Sequence, residues 1–296
     1  MNKSFTLIEI LVIIVVIGIL SAFVLVGMSS ITSSANIAKV QAFINSMDNA
    51  LLLGRVSQWK FDELTTAKEA QPIRDSWGSN NGTLYTGSDG FEKISSNCPS
   101  GNCLSFDGSN DYVDCGSGAS LKPGTVSWAM GFWFYPTSTA ESYPLNISTA
   151  ASDSRINVIL RTNQKVDTFL KDSDGAFGYT TSISATLNVW NHYVFVRNKS
   201  ESNTYAYING VMANPKTDST NDITAQGVFI GAYQGASKWF QGLIDDVRIY
   251  NQAIPTSEIQ QNYFVGLNNL YKNKGITLNE FNQRIVELKT NLVKNE

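Results

Sequence analysis

Few side chains in this chain are placed to do chemistry, and the first of them is Glu9. It is the one acid in the opening stretch MNKSFTLIEILVIIVVIGIL, an otherwise uncharged apolar run that follows a single basic residue, Lys3. A carboxylate near the start of a membrane-length helix is costly in hydrocarbon and is kept where a partner neutralises it. If the bond between Ser4 and Phe5 is cut, the freed amine of Phe5 is such a cation, and Glu9 becomes the fifth residue of the shortened chain. The pair can then meet between neighbouring subunits. The second group is Cys98, Cys103 and Cys115, three thiols within eighteen residues. Cys98 and Cys103 bracket PSGN, a turn composition that favours their pairing; the alternative is Cys103 with Cys115 across a hairpin of LSF and YVD that sets Phe106 opposite Tyr112. A zinc site is not expected, because His192 is the only histidine and no second CxxC is present.

The elements that must position Glu9 are helical. The stretch resembles the class III signal of type IV pilins and pseudopilins: a short basic leader, a small residue, then FTLIE and about twenty apolar residues. Ser4 stands where that family usually has Gly. The resemblance implies a leader at 1–4 removed by a prepilin peptidase at Ser4 and Phe5, a helical segment at 5–56, and assembly with other pilin-like subunits through Phe5 and Glu9. A secretory signal has an apolar core of only about 7 to 15 residues, and a plain transmembrane anchor has no use for the acid. Lys3 precedes the run and the next basic residue is Lys39, so the amino terminus is expected in the cytoplasm. The chain would then be a single-pass protein of the inner membrane with its body outside, reaching the cell surface in a filament after assembly. Residues 29 to 58 keep helical spacing through Ile31, Ala35, Ala38, Ala42 and Ile44 without proline, so one helix is expected from Phe5 to Leu53.

The remainder is β-rich. With 296 residues, 43 % hydrophobic and 16 % charged, the chain can bury a substantial core, and a net charge of −3 without basic runs sets nucleic-acid binding aside. Short apolar segments separated by Gly, Asn, Ser and Asp predict an antiparallel sandwich, with strands at 125–135, 156–162, 192–198, 204–208, 227–233 and 243–250. Asn209-Gly210 predicts a tight hairpin. In LIDDVRIY, alternation puts Leu243, Asp245, Val247 and Ile249 on one face, so a carboxylate falls in an apolar row.

The succession FDGSNDYV, WAMGFWFYP, WNHYVFVR, YINGV and FQGLIDDVRIYNQAIPTSEI resembles the concanavalin A-like, laminin G-like jelly roll over residues 57–264. The resemblance implies two facing antiparallel sheets and a role in carbohydrate or protein recognition. Trp128, Phe132, Phe134, Val194 and Val196 are expected in the core. By the same resemblance a structural calcium is held by Asp75 and Asp245, with Asn80 or the Gly82 carbonyl adding oxygens; the alternative is an aspartate that ties strand to loop without metal. Asp107 and Asp111 are expected as turn formers. Some relatives hydrolyse glycans with two facing carboxylates, often as ExDxE. None occurs here, Asp245 and Asp246 are adjacent and so are expected to point to opposite faces of a strand and not to share a substrate, and His192 has no nucleophile motif beside it.

From Pro255 onward the chain is expected to be helical, with Ser257 capping one helix, Thr277 a second, and Gly275 between them, and the sandwich gives way to a helical tail at 265–296. Leu278, Phe281, Ile285, Leu288 and Leu292 form a stripe expected to dock within the chain. The expectation is a mainly β protein with a long amino-terminal helix: a pilin-like or pseudopilin-like subunit displaying a laminin G-like recognition module, not an enzyme. The alternatives are a membrane-anchored lectin that does not polymerise and a tethered glycoside hydrolase.

Overall fold

The computed structural model describes residues 54–293 apart from 65–68, 88–93, 96 and 150–151. Ser4, Phe5, Glu9 and the helix expected up to Leu53 lie outside these residues. Arg55 and Val56, assigned above to the end of the helical segment, instead open the first strand after a turn at Gly54. Among the described residues no helix is long and apolar enough to cross a membrane.

Among the described residues eighteen strands and two α-helices follow in order: β1 (Arg55–Trp59), β2 (Gln71–Ile73), β3 (Gly82–Tyr85), β4 (Ile94–Ser95), β5 (Cys103–Asp107), β6 (Tyr112–Asp114), β7 (Trp128–Pro136), β8 (Ser142–Thr149), β9 (Ser152–Leu160), β10 (Lys165–Lys171), β11 (Phe177–Tyr179), β12 (Ile183–Ser184), β13 (Asn191–Asn198), β14 (Asn203–Ile208), β15 (Val211–Met212), β16 (Lys216–Thr217), β17 (Gly227–Ile230), β18 (Gln241–Tyr250), α1 (Thr256–Lys272) and α2 (Leu278–Val293). The first sheet runs β15-β14-β13-β7-β18-β5-β4, with β1 on β18 and β16 on β14; the second runs β11-β10-β9-β8-β17-β6-β3-β2, with β12 on β10. The paired strands are antiparallel. Asn209 and Gly210 both take positive φ, +52° and +77°, which is the turn geometry their dipeptide predicts between β14 and β15.

The main core lies between the sheets. Met130, Phe132 and Phe134 of β7 and Ile244, Val247 and Ile249 of β18 meet Leu145, Ile147, Ile156, Val158 and Val228 from the second sheet. Each such side chain contributes about 1.5–3 kcal/mol when fully buried. A second apolar cluster sits on the outer face of the first sheet, where Ala129, Val194, Val196, Tyr207 and Tyr250 pack with Ile254 and Ile259. Val194 and Val196 are therefore buried as expected, but beneath α1 and not between the sheets. Burial on both faces is why β13 reads as an almost unbroken apolar run instead of alternating.

The helices are integral to this outer layer. Tyr263 of α1 stacks on Trp133 with ring centroids 5.5 Å apart, and Gly266 lies so close that an added Cβ would fall 2.4 Å from the same indole. In α2, Phe281 packs on Phe264 and Tyr271, and Arg284 donates to the Trp190 carbonyl. The stripe thus docks within the chain through Phe281 and Leu288, while Leu278 stays exposed. Thr277 caps α2 by accepting the Glu280 N–H, whose own side chain pairs with Arg284 instead of returning to the cap. Ser257 caps nothing: α1 begins at Thr256 behind Pro255, and residue 264 falls inside it.

Two expectations are corrected. LSF and YVD do not form a hairpin, because β5 joins the first sheet through β18 and β6 joins the second through β17. The turn between them crosses from one sheet to the other, with Asp107 accepting from the Ser109 N–H and Asp111 from the Asp107 N–H, the turn-forming roles expected of both. The second correction is the phase of β18. Ile244 pairs with Phe134 and Asp245 with Trp133, but Arg248 pairs with Gly131, so one extra residue is inserted at Asp246, whose φ is +48°. The bulge resets the alternation, putting Ile244, Val247 and Ile249 in the core and Asp245 outside that row.

Arg197, fully buried, braces the loops at one end of the sandwich. It donates to Asp218 and to the carbonyls of Gly124, Thr220 and Asn221. Replacing it leaves the buried Asp218 carboxylate with the Thr220 N–H and hydroxyl on one oxygen and the more distant Lys199 as its remaining ion-pair partner among the described residues. Arg197→Ala should lower the free energy of unfolding by about 3 kcal/mol in urea titration; a loss below about 1 kcal/mol would contradict the brace.

Candidate functional site

Beneath α1, the bulge gathers Asp245, Asp246 and Arg248 on the outer face of β18. Asp246 takes both Nη2 and Nε of Arg248, at 2.6 and 3.0 Å, and the Gln58 amide at 2.6 Å. Burial alone would push its carboxyl up, but the guanidinium outweighs burial and holds it low. Asp245 has the opposite balance. It accepts the Ser100 N–H at 2.7 Å, its other oxygen has no hydrogen bond, and burial, with the negative field of Asp246 behind it, drives its carboxyl well above the ordinary range. His192 stacks between Trp133 and Tyr263, and burial, assisted by Arg248, lowers it to about 3. It is neutral at pH 7 and sealed from solvent, a structural histidine.

The four residues assigned by resemblance to calcium lie in two different networks. Asp75 accepts N–H groups from Gln58, Trp77, Gly78 and Asn80, at 2.9, 3.1, 2.8 and 3.0 Å, and these outweigh burial to keep its carboxyl low. Asn80 is equally committed: its amide donates to Ser57 and Ser120, and its carbonyl accepts from the Trp59 indole. Gly82 opens β3 opposite Ile73, while Asp245 faces Ser100. A carboxylate whose oxygens are filled by N–H donors has little left for a cation, so this donor set does not fit calcium. Among the described residues no group of three or more His, Cys, Asp or Glu side chains could hold a metal ion.

Cys98 and Cys103 are bonded, with Cα atoms 5.8 Å apart, and Cys115 is a free, buried thiol. The alternative pairing fails because β6 carries Cys115 into the other sheet. The disulfide loop serves as a latch for the helical layer: the carbonyls of Asn97, Cys98 and Pro99 accept from Trp190, Asn273 and Asn269.

Among the described residues no helix packs on the outer face of the second sheet, yet its centre, with Asn146, Ser148, Asn157 and Ile159, is buried, and the face is open only at its β10–β11 end. Cross-strand register sets Thr83, Asp114, Phe229, Asn146, Asn157, Phe169 and Tyr179 side by side in one transverse row over seven strands. At its centre the Asn146 amide donates to Asn157 and its oxygen accepts from Ser148 and from the Gln234 N–H, so the loop after β17 leans over it. On the β6 side, Tyr85 and Tyr112 stack at 4.6 Å with Trp239 6.0 Å from Tyr112. On the β10–β11 side, Phe169 lies 4.9 Å from Tyr179 and 6.3 Å from Phe177, with Arg155 over its ring. The flanking charges are paired: Arg161 with Asp167 and Glu141, Lys238 with Glu141, and both Arg155 and Lys171 with Asp153. The sequence reading missed this surface because β8 and β10 were not recognised. KVDTFLK does carry the signal: Val166, Thr168 and Leu170 alternate along the strand and are fully buried, Asp167 between them is buried against Arg161, and Phe169 interrupts the polar face.

Two outcomes follow from these networks. Chelation should leave the melting temperature unchanged while Asp75→Ala costs about 2 kcal/mol or more, and a rise in melting temperature on adding calcium would contradict the metal-free loop. Glu258, in the first turn of α1, is pushed up to about 7 by burial, with Arg55 and Arg248 only partly offsetting it. Its unfolded form loses the proton first, so this group subtracts stability as pH rises from about 4.5 to about 7. Glu258→Gln should match the parent near pH 4 and exceed it in stability near pH 8, measured by thermal melts; an equal difference at both pH values would contradict the buried acid.

Comparison with known proteins agrees with this geometry. The fold is similar to the binding domain of botulinum neurotoxin serotype D (14 % identity, TM-score 0.54, covering 72 % of this chain and 51 % of that one). It is also similar to the binding domain of Paraclostridial Mosquitocidal Protein 1 (16 %, TM-score 0.57, covering 74 % and 53 %). This chain thus spans about half the length of those toxin domains. A third likeness is to domain 4 of AbnA, a GH43 extracellular arabinanase from Geobacillus stearothermophilus solved with arabinotriose (19 %, TM-score 0.54, covering 71 % of this chain and 98 % of that one). No curated protein matches in sequence. The sequence model of the family described as the concanavalin A-like lectin/glucanases superfamily matches residues 107–260, just over half of the chain, and the chain belongs to that superfamily.

Proposed function

We propose that this protein is a pilin-like or pseudopilin-like subunit whose concanavalin A-like body recognises a glycan or a surface protein outside the cell. The observation that carries the recognition reading is the open end of the second sheet's outer face, where Phe177 and Tyr179 stand exposed beside Phe169, Arg155 and Lys171, while helices cover the centre of the first sheet. Such a face offers stacking surfaces and hydrogen bonds without a reactive group. The delivery reading rests on the leader: cleavage by a prepilin peptidase between Ser4 and Phe5 would free the amine that neutralises Glu9 of a neighbouring subunit. The protein would wait in the inner membrane with its body outside and reach the cell surface on assembly.

A catalytic role has less support. Hydrolysis of a glycan needs a carboxylic acid kept protonated beside the substrate. On the open face Glu141 is held low by Lys238 and Arg161, whereas the raised acids Asp245 and Glu258 are buried. We therefore read the protein as a binding and assembly subunit without enzymatic activity and without a need for calcium.

Mass spectrometry of the purified protein should give an amino terminus at Phe5. A mass beginning at Met1 would instead favour a membrane-anchored lectin that never polymerises. In an assembly assay Glu9→Ala should fail to incorporate, and normal incorporation would overturn the proposed Phe5–Glu9 pair.

A further inference from the structure

Resting on the recognition reading above, we propose that the ligand is an uncharged sugar chain and that it stacks on the shelf formed by Phe169, Phe177 and Tyr179. Two aromatic groups lie on the outer face of the second sheet among the described residues, one half-buried and one exposed. Tyr85 and Tyr112 cover each other with planes 12° apart, and the Gly235 backbone closes on the Tyr112 edge. Phe177 and Tyr179 are instead 61 % and 45 % exposed on the short strand β11, the largest concentration of open aromatic surface among the described residues. Their backbone is anchored by the pairing of Lys171 with Phe177 and Phe169 with Tyr179, so the rings stand on a fixed strand.

The size of the shelf selects its occupant. At about 150–250 Å² for each aromatic side chain, the two open rings offer roughly 200 Å². A stable protein interface needs about 800 Å² on each partner. One or two sugar rings match the shelf, because the C–H groups on one face of a sugar ring pack on the electron-rich face of an aromatic ring. Their hydroxyls would meet Asp153, Lys171 and Arg155 at the rim.

Charge sets the class of sugar. Arg155 is already stacked on Phe169 and paired with Asp153, and Lys171 is paired with the same carboxylate. Asp153 is itself 65 % exposed at the side chain. An acidic sugar would have to displace that carboxylate from both cations and face its repulsion, whereas a neutral sugar leaves the group intact and hydrogen-bonds to it.

The test is binding of the full-length protein in detergent to immobilised neutral oligosaccharides, arabinotriose among them, and to N-acetylneuraminic acid, with parent and variants. The double variant Phe177→Ala/Tyr179→Ala should lose at least tenfold in affinity for the neutral ligands, and Trp77→Ala, another exposed aromatic far from this strand in the topology, should change affinity less than threefold. Both residues are exposed, and an unchanged melting temperature would confirm that the double variant is folded. Neutral binding that survives the double substitution would overturn the shelf and leave the recognition reading standing. A preference for N-acetylneuraminic acid would overturn the uncharged class. Binding to no glycan would overturn both readings, and a self-association abolished by the double substitution would assign the shelf to protein contact.

Discussion

The constraint on which the rest depends is that the first sheet is buried on both faces. Its inner face packs on the second sheet, and its outer face, bearing Val194, Val196, Trp133 and Tyr250, is too apolar to meet water. The α1–α2 layer satisfies that requirement through Ile259, Tyr263 and Gly266. The carboxy-terminal helices are thus part of the folding unit, and among the described residues the second sheet has no such helical cover.

Covering a sheet that carries charged side chains has a physical consequence. The bulge at Asp246 turns Asp245, Asp246 and Arg248 toward the helices, where each must find a partner or change its protonation. Asp246 is paired by Arg248 and Gln58, and the same glutamine gives its backbone N–H to Asp75. Asp245 is left with one N–H from the disulfide loop, and burial drives its carboxyl well above the ordinary range. The residues that look most like a site in the sequence are therefore the ones that join β1, β18, the disulfide loop and α1, while the exposed end of the second sheet carries the aromatic side chains Phe177 and Tyr179.

The sandwich was legible because its strongest strands are bounded by turn residues and one hairpin is specified by Asn209-Gly210. The favoured disulfide was legible from the turn between Cys98 and Cys103. What was hidden depends on register. A single extra residue in β18 inverts the faces of all that precede it, and no local composition announces it, since Asp246 adopts positive φ without being glycine. The sheet membership of β5 and β6 was hidden for a related reason: a DGSN turn can close a hairpin or cross between layers, and only the long-range pairing with β18 and β17 decides. The surface proposed for recognition was hidden because its row of residues comes from seven strands and acquires meaning only through cross-strand register.

The claim that the helical layer seals the first sheet is most directly tested by native-state hydrogen exchange. If it does, amides in α1 should open with the same free energy as those of β7 and β18, as one cooperative unit. Exchange in α1 that is orders of magnitude faster than in β7, with the strands still protected, would contradict it and would return the outer face of the first sheet to consideration as a binding surface.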